Sequence, residues 1–379
     1  MEKEIVTLRL ARGKEESLDR FHPWVFSGAL RSVPAGVEEG DTVKIETSDG
    51  RLIGTGHFQK DSIAVRILDF SDSPLGSSFY ASRLRDAFAL RRALNLSRPD
   101  NNAYRLIHGE GDFVPGLVVD VYGHTAVIQA HSAGIHRARN IIAQELVGLP
   151  DADIKNVYYK SDTTLPYKAN LDPVNDYIIG SYDGDEAVEN GLRFRIDWLK
   201  GQKTGFFLDQ RENRQLLRQL SRGRRVLNTF CYTGGFSVYA LAGGAENVDS
   251  VDSSAKAISL TDANVELNFG NDAKHRSFAT DAFKFLDAMA PDSYDLIVLD
   301  PPAFAKHRSA IRNALRGYQR INARAIERIA SGGILFTFSC SQAVTKEQFR
   351  LAVFSAAAST GPRSASSTSS LSRPTTLST

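Results

Sequence analysis

The chain holds two cysteines in 379 residues, and one of them, Cys340, sits between two serines in FTFSCSQAVT (336–345). A buried strand has no need of a thiol, because Ala or Val would fill the same space. Such a thiol is either a small core hydrophobe or a nucleophile. Upstream, LIVLDPPAFAKHR (296–308) carries an apolar run into Asp300. Pro301 and Pro302 then fix the backbone and remove two donors, leaving an inflexible rim of carbonyls. D-P-P-x-F directly after an apolar strand is more specific than a strand merely stopped by proline. Earlier, VLNTFCYTGGFSVYAL (226–241) reads as strand, glycine turn and helix. Gly234 and Gly235 let the backbone approach a ligand, and the following helix offers free N–H groups. The next strand ends in Asp252, about the 20-residue distance at which an acid grips ribose hydroxyls. A third strand ends in Thr280-Asp281, where a carboxylate suits an adenine amino group. Each signal is common alone; the ordered set is not. The fingerprint G-x-G-x-x-G is absent, which argues against a nicotinamide dinucleotide.

These residues need a scaffold, and the pattern supplies one. From about residue 197, RRVLNTF, ENVDSVD, HRSFAT, YDLIVLD and GGILFTFS are successive strands with helical segments between them. Such alternation implies an α/β fold with a parallel sheet covered on both faces, binding ligands at the strands' carboxyl ends. Residues 1–75 read instead as short strands. Their alternation around Asp49-Gly50 is a hairpin signal and predicts a small β-barrel module. SDSPLGSS (71–78) is a boundary. The helix FYASRLRDAFALRRALNL follows, with Arg83, Arg85, Arg91 and Arg92 on an exposed, solvated face. Residues 79–195 form an α/β middle domain: GLVVDVYG and TAVIQAHS as paired strands, IHRARNIIAQEL as a helix, IKNVYYKS as a further strand. The domain of alternating strands and helices spans 197–355. Beyond Phe354 the chain has no acidic or aromatic residue, so 356–379 is expected to be disordered.

Composition narrows the classes. Hydrophobic residues make up 42% and charged residues 24%, as in a soluble globular protein. The formal charge of +2 sets no large field, so attraction to nucleic acid must come from local basic patches. Two cysteines build no disulfide framework, which suits a reducing, cytoplasmic compartment. No apolar stretch approaches the roughly 20 residues of a membrane span, and the N-terminus lacks a signal peptide's apolar core. His22, His108 and His131 lack metal-ligand spacing, and although His108, Glu110 and Asp112 lie close in sequence, no metal is expected.

Asn228 to Gly235, Asp252, Asp281, DPPAF and SCS together resemble the class I S-adenosylmethionine-dependent methyltransferases. More narrowly, they resemble the large-subunit ribosomal RNA cytosine-5 methyltransferases with an N-terminal PUA domain. FHPWVFSGAL (21–30) is similar to that PUA start, and GDFVPGLVVDVYG (111–123) to the family's middle domain. KTGFFLDQRENR (203–214) resembles the segment that precedes and folds over the cofactor turn. The likeness spans residues 1 to about 355.

The resemblance implies a Rossmann-like catalytic domain and S-adenosylmethionine as cofactor. The loop of Asn228, Phe230, Tyr232, Thr233, Gly234 and Gly235 would hold its methionine part, with Gln210 and Arg211 nearby. Asp252 and Ser253 would take the ribose, and Asp281 and Ala282 the adenine. Asp300 would face the target base, a cytosine of large-subunit ribosomal RNA, and Cys340 would attack its carbon 6. A helix N-terminus or a lysine such as Lys306 would raise the thiolate fraction. Cys231, in the cofactor turn, is assigned to packing. Many cytosine-5 RNA methyltransferases carry a second cysteine directly after the two prolines; this chain has Ala303 there, and the large-subunit subgroup it resembles also does without that cysteine. The family fold also continues with further strands, whereas this sequence turns to Ser/Thr/Pro, as though a normal ending had been replaced. Two alternatives stand beside this reading: methylation at a base nitrogen such as guanine N7, and a non-catalytic RNA-binding or assembly factor. The oligomeric state stays open, a homodimer included.

Overall fold

The computed structural model describes residues 5–166, 171, 173–184, 186–271, 274–305 and 307–360. These fall into two compact units: 5–191 with 196–206, and 192–195 with 207–360.

The first unit begins with β1 (Val6–Arg9), α1 (Glu16–Asp19), β2 (Trp24–Phe26), β3 (Thr42–Glu46), β4 (Leu52–Phe58) and β5 (Ile63–Asp69). The sheet runs β1-β3-β4-β5-β2, antiparallel except for β1 beside β3. Arg31 N donates to Arg9 O at 2.8 Å and Ala11 N to Ala29 O at 2.9 Å, so the chain beyond β2 returns to β1 and curls the sheet towards a barrel. The alternation that signals the β3/β4 hairpin puts Val43 and Ile45 inward against Leu8, Val65 and Ile67.

Next come α2 (Ser77–Ala93), β6 (Ala103–His108), β7 (Leu117–Tyr122), β8 (Thr125–Ala130), α3 (Ala133–Val147), β9 (Asn156–Tyr159), β10 (Asp176–Ile179) and β11 (Glu186–Glu189). The sheet order is β10-β9-β8-β7-β6, and α3 crosses over between the parallel pair β8 and β9. One expectation fails here. Arg91 does not join a solvated face of α2: it is buried, its guanidinium forks onto Asp112, and its Nε donates to Arg105 O at 3.0 Å. The forked pair satisfies a charge that burial would otherwise penalise. Arg83 is half-buried, lying over the rings of Phe79 and Phe113; Arg85 and Arg92 are exposed. Asp112 is thereby committed, and Glu110 accepts from the Trp24 indole at 2.8 Å.

The second unit opens with β12 (Leu192–Arg195), which the sequence reading assigned to the middle domain. Arg193 N and Arg195 N donate to Asn268 Oδ1 (2.9 Å) and Asn264 Oδ1 (2.7 Å), and Phe194 stacks on Tyr239. After α4 (Arg211–Leu220) the expected alternation appears: β13 (Arg225–Thr229), α5 (Gly235–Ala242), β14 (Asn247–Asp252), α6 (Ala255–Phe269), β15 (His275–Ala279), α7 (Ala282–Ala288), β16 (Leu296–Leu299), α8 (Ile311–Arg328), β17 (Ile334–Thr337) and α9 (Lys346–Ser359). The sheet is parallel throughout, in the order β15-β14-β13-β16-β17. Thr229 pairs with both Val251 and Leu299, Leu299 with Thr337, and Asp252 with Ala279, so the strands finish along one edge.

Helix α9 runs past the predicted end of order at 355. A capping box between Thr345 and Gln348 starts it, and Phe349, Val353 and Ala356 are buried. Residues 361–379, which complete the expected disordered tail, lie outside the described residues, as does Lys306.

Candidate active site

The residues that follow the five strand ends are the ones singled out by sequence. After β13, Phe230 (φ 56°), Tyr232 (φ 49°) and Gly234 (φ 74°) all adopt left-handed backbone, alternating with Cys231 and Thr233, which do not. Bulky residues rarely accept that conformation, and strain of this kind persists where the surroundings enforce it. Here α6 enforces it: Thr261 Oγ1 donates to Tyr232 O at 2.9 Å and Asn264 Nδ2 to Thr233 O at 2.9 Å. A Cβ on Gly234 would lie 2.6 Å from Thr261 Cγ2, so the turn has no room for a side chain. The backbone donors of the turn are largely committed: Cys231 N donates to Val251 O at 3.1 Å and Gly234 N to Cys231 O at 2.8 Å.

Asp252, half-buried at the end of β14, is tied into that loop. Its Oδ2 accepts from Tyr232 N at 3.1 Å and its Oδ1 from Ser254 N at 2.9 Å. A carboxylate has further lone pairs for hydroxyl donors. Ser253 is exposed beside it. Asp281 caps α7, accepting from Lys284 N at 3.0 Å, and remains exposed; Ala282 is buried in the first turn, where helical N–H groups lack intrahelical partners.

Two assigned residues take unexpected places. The Asn228 carboxamide is buried and donates to Ser237 Oγ at 2.8 Å, beneath the loop rather than at its crest. It starts a buried chain through Ser250 to His275, with Ser237 Oγ to Ser250 Oγ at 2.6 Å and Ser250 Oγ to His275 Nε2 at 2.8 Å. Its Nδ2 is thereby committed to the strand end, while its buried Oδ1 has no hydrogen-bond partner among the described residues. Gln210 is buried and donates through Nε2 to Asp300 Oδ2 at 3.2 Å, while Asn213 Nδ2 donates to Gln210 Oε1 at 2.6 Å. It holds the aspartate of the proline turn. Arg211 is buried at the start of α4.

The two cysteines differ sharply. Cys231 is buried, its Sγ 3.5 Å from Thr261 Oγ1, and burial pushes its thiol up to about 12. Cys340 is exposed just beyond β17, with Sγ donating to the carbonyl oxygen of Pro301 at 3.5 Å. Its serine neighbours serve a purpose that the sequence did not disclose. Ser341 Oγ accepts from Ala305 N (3.2 Å) and pairs with Tyr318 OH (2.8 Å), which also accepts from Ser339 Oγ at 3.0 Å. Tyr318 comes from the buried face of α8, and its hydroxyl proton is hard to remove because burial disfavours the phenolate. Phe304, from the D-P-P-x-F turn, packs on Tyr318 with ring centroids 4.7 Å apart. The proline turn and the cysteine turn are thus clamped to the same helix.

A profile of S-adenosylmethionine-dependent methyltransferases matches residues 163–360, and one of PUA-like domains matches residues 8–70. "Ribosomal RNA large subunit methyltransferase I" of Shewanella frigidimarina is 38% identical over 360 residues, covering 93% of this chain and 90% of the relative. The protein of that name from Aeromonas hydrophila is 39% identical over 364 residues, covering 94% and 90%. The chain belongs to the S-adenosylmethionine-dependent methyltransferase family.

The fold agrees. A solved structure of a proposed SAM-dependent methyltransferase from Streptococcus mutans matches with a TM-score of 0.74 at 21% identity, covering 93% of this chain and 90% of that one. A second, of SMU.776, a proposed methyltransferase complexed with SAH, matches with a TM-score of 0.75 at 22% identity over the same shares. The chain is a methyltransferase whose Rossmann-like domain follows a PUA-like domain. Its own residues fit the cofactor: a side-chain-free turn at Gly234 and strand-end carboxylates at Asp252 and Asp281. Among the described residues, no cluster of three or more His, Cys, Asp or Glu side chains is arranged for a metal ion, and no helix is long and apolar enough to cross a membrane.

Proposed function

We propose that this methyltransferase modifies carbon 5 of a cytosine in large-subunit ribosomal RNA, with Cys340 as nucleophile and Asp300 facing ring nitrogen 3. The names of relatives that align with more than nine-tenths of the chain support the RNA substrate. One observation carries the carbon-5 reading: an exposed thiol lies 3.5 Å from the carbonyl of Pro301, the residue next to Asp300.

Carbon 5 of cytosine is a poor nucleophile, and addition of a thiolate divides one difficult step into two easier ones. The Cys340 thiolate forms a bond to carbon 6. The C5=C6 electron pair shifts into the C4–C5 bond, the C4=N3 pair moves onto nitrogen 3, and the Asp300 carboxyl supplies a proton there. Carbon 5 becomes the electron-rich end of an enamine. S-adenosylmethionine, when bound, supplies an electrophilic methyl group. Loss of the proton from methylated carbon 5, to water or a base, re-forms C5=C6 and expels Cys340 as thiolate, while nitrogen 3 returns its proton to Asp300. Gln210 keeps Asp300 aimed through the 3.2 Å bond.

The loop 228–235 would hold the methionine end, Asp252 with Ser253 the ribose, and Asp281 with Ala282 the adenine. The target base would be flipped from its stack into this site. The PUA-like module, within residues 1–75, would contact RNA by shape and phosphate; residues 79–195 would serve as a middle domain and 197–355 would carry catalysis. A reducing cytoplasm would keep both thiols free.

Transfer of a labelled methyl group onto unmodified large-subunit RNA, followed by nucleoside analysis, tests the reading. Label is expected in 5-methylcytidine. Label on another base, or on a cytosine nitrogen, overturns it.

A further inference from the structure

We infer that the arginine row on the exposed side of α8 grips the phosphodiester backbone of the substrate RNA beside the target base; this rests on the RNA reading above. Within α8, arginine recurs at every fourth residue, Arg312, Arg316, Arg320, Arg324 and Arg328, against a single acid, Glu327, and Arg308 precedes it in the adjoining turn. Four residues rise about 6 Å along a helix, so these side chains form one row. A solvated helical face ordinarily mixes signs. Like charges at i, i+4 destabilise a helix, and Arg312 stands in the first turn, at the positive end of the macrodipole. The row works against the helix that carries it, and an anion laid along it would remove both penalties.

The two ends of the row differ. Arg324 pairs with Asp287 (3.0 Å) and Glu327 (3.2 Å), and Arg328 donates to the Met289 carbonyl. Arg308, Arg312 and Arg316 are exposed and make no ion pair or side-chain hydrogen bond with the described residues. Arg320 lies over Phe283, 4.5 Å from its ring centre. The uncommitted end is thus the one that follows the D-P-P-x-F turn in the chain. The opposite face of α8 holds the reactive groups in register. Tyr318 binds both serines that flank Cys340, and a Cβ on Gly317 would lie 3.0 Å from Phe304. A backbone held by the row would therefore keep a fixed relation to the cysteine turn.

The test replaces Arg312 and Arg316 together by Gln in the full chain and measures binding to large-subunit RNA across salt concentrations. Each lost phosphate contact should flatten the log K against log salt slope by about 0.7 on a single strand, about 1.4 for the pair. The RNA KM should rise about tenfold. S-adenosylmethionine affinity by calorimetry should stay unchanged and the melting temperature should not fall, because two repulsive charges have gone. The double Lys variant should restore the slope. An unchanged slope and KM in the Gln variant overturns the assignment while leaving the RNA substrate intact. Absence of salt-dependent RNA binding by the native chain overturns the substrate reading itself.

Discussion

The sulfur of Cys340 lies 3.5 Å from the carbonyl oxygen of Pro301, and the neighbouring Ser341 hydroxyl, which accepts from Ala305 N and pairs with Tyr318 OH, ties the two turns together. The thiol is exposed, so its position comes from neighbouring polar groups rather than from core packing.

Removing the Ser341 hydroxyl leaves the buried Ala305 N–H without its acceptor and Tyr318 OH with one partner fewer. Ser341→Ala should cost about 1–3 kcal/mol of stability, seen as a lower denaturation midpoint. It should also lower kcat for methyl transfer by at least the tenfold that about 1.4 kcal/mol represents, with S-adenosylmethionine affinity unchanged in calorimetry. A normal kcat would show that the clamp does not position the thiol.

At Gly234 the constraint is steric and conformational at once: φ is 74°, and a Cβ would meet Thr261 at 2.6 Å. Gly234→Ala should weaken S-adenosylmethionine binding by about tenfold or more, since left-handed backbone costs a non-glycine residue about 1–2 kcal/mol before any clash. Calorimetry on the folded variant reads this directly.

The contrast between the thiols predicts their chemistry. Burial holds Cys231 protonated up to about 12, against an ordinary 9.0. Between those values the unfolded chain loses a proton that the folded chain keeps. Stability from this group is therefore complete below about 9 and declines as pH rises towards about 12. Alkylation at pH 8 followed by peptide mass mapping should label Cys340 and spare Cys231, and Cys231→Ala should flatten the alkaline loss of stability.

The strand-end residues were legible because a parallel sheet aligns its carboxyl edge: Asp300 and Cys340 each follow an apolar run, and Asp252 and Asp281 close the successive strand segments between helices. The hairpin at Asp49-Gly50 was legible for the same local reason. What the sequence hid depends on partners far along the chain. Arg91 looked solvated because Asp112 enters its surroundings only in three dimensions. The hydrogen-bonded chain from Asn228 was hidden because Ser237 and Ser250 are brought to it by α5 and β14. Leu192–Arg195 looked like part of the middle domain because Asn264 and Asn268 lie far downstream. The left-handed Phe230 and Tyr232 carry no compositional signal, since glycine and asparagine are the usual markers of that conformation.

The nucleophilic role of Cys340 is tested most directly with RNA whose target cytosine carries fluorine at carbon 5. Fluorine cannot leave as a proton does, so the carbon–sulfur bond should persist. The native chain should migrate with the RNA on a denaturing gel, and Cys340→Ala should show neither that complex nor methyl transfer to ordinary RNA. Full methyl transfer by the alanine variant would contradict the covalent account.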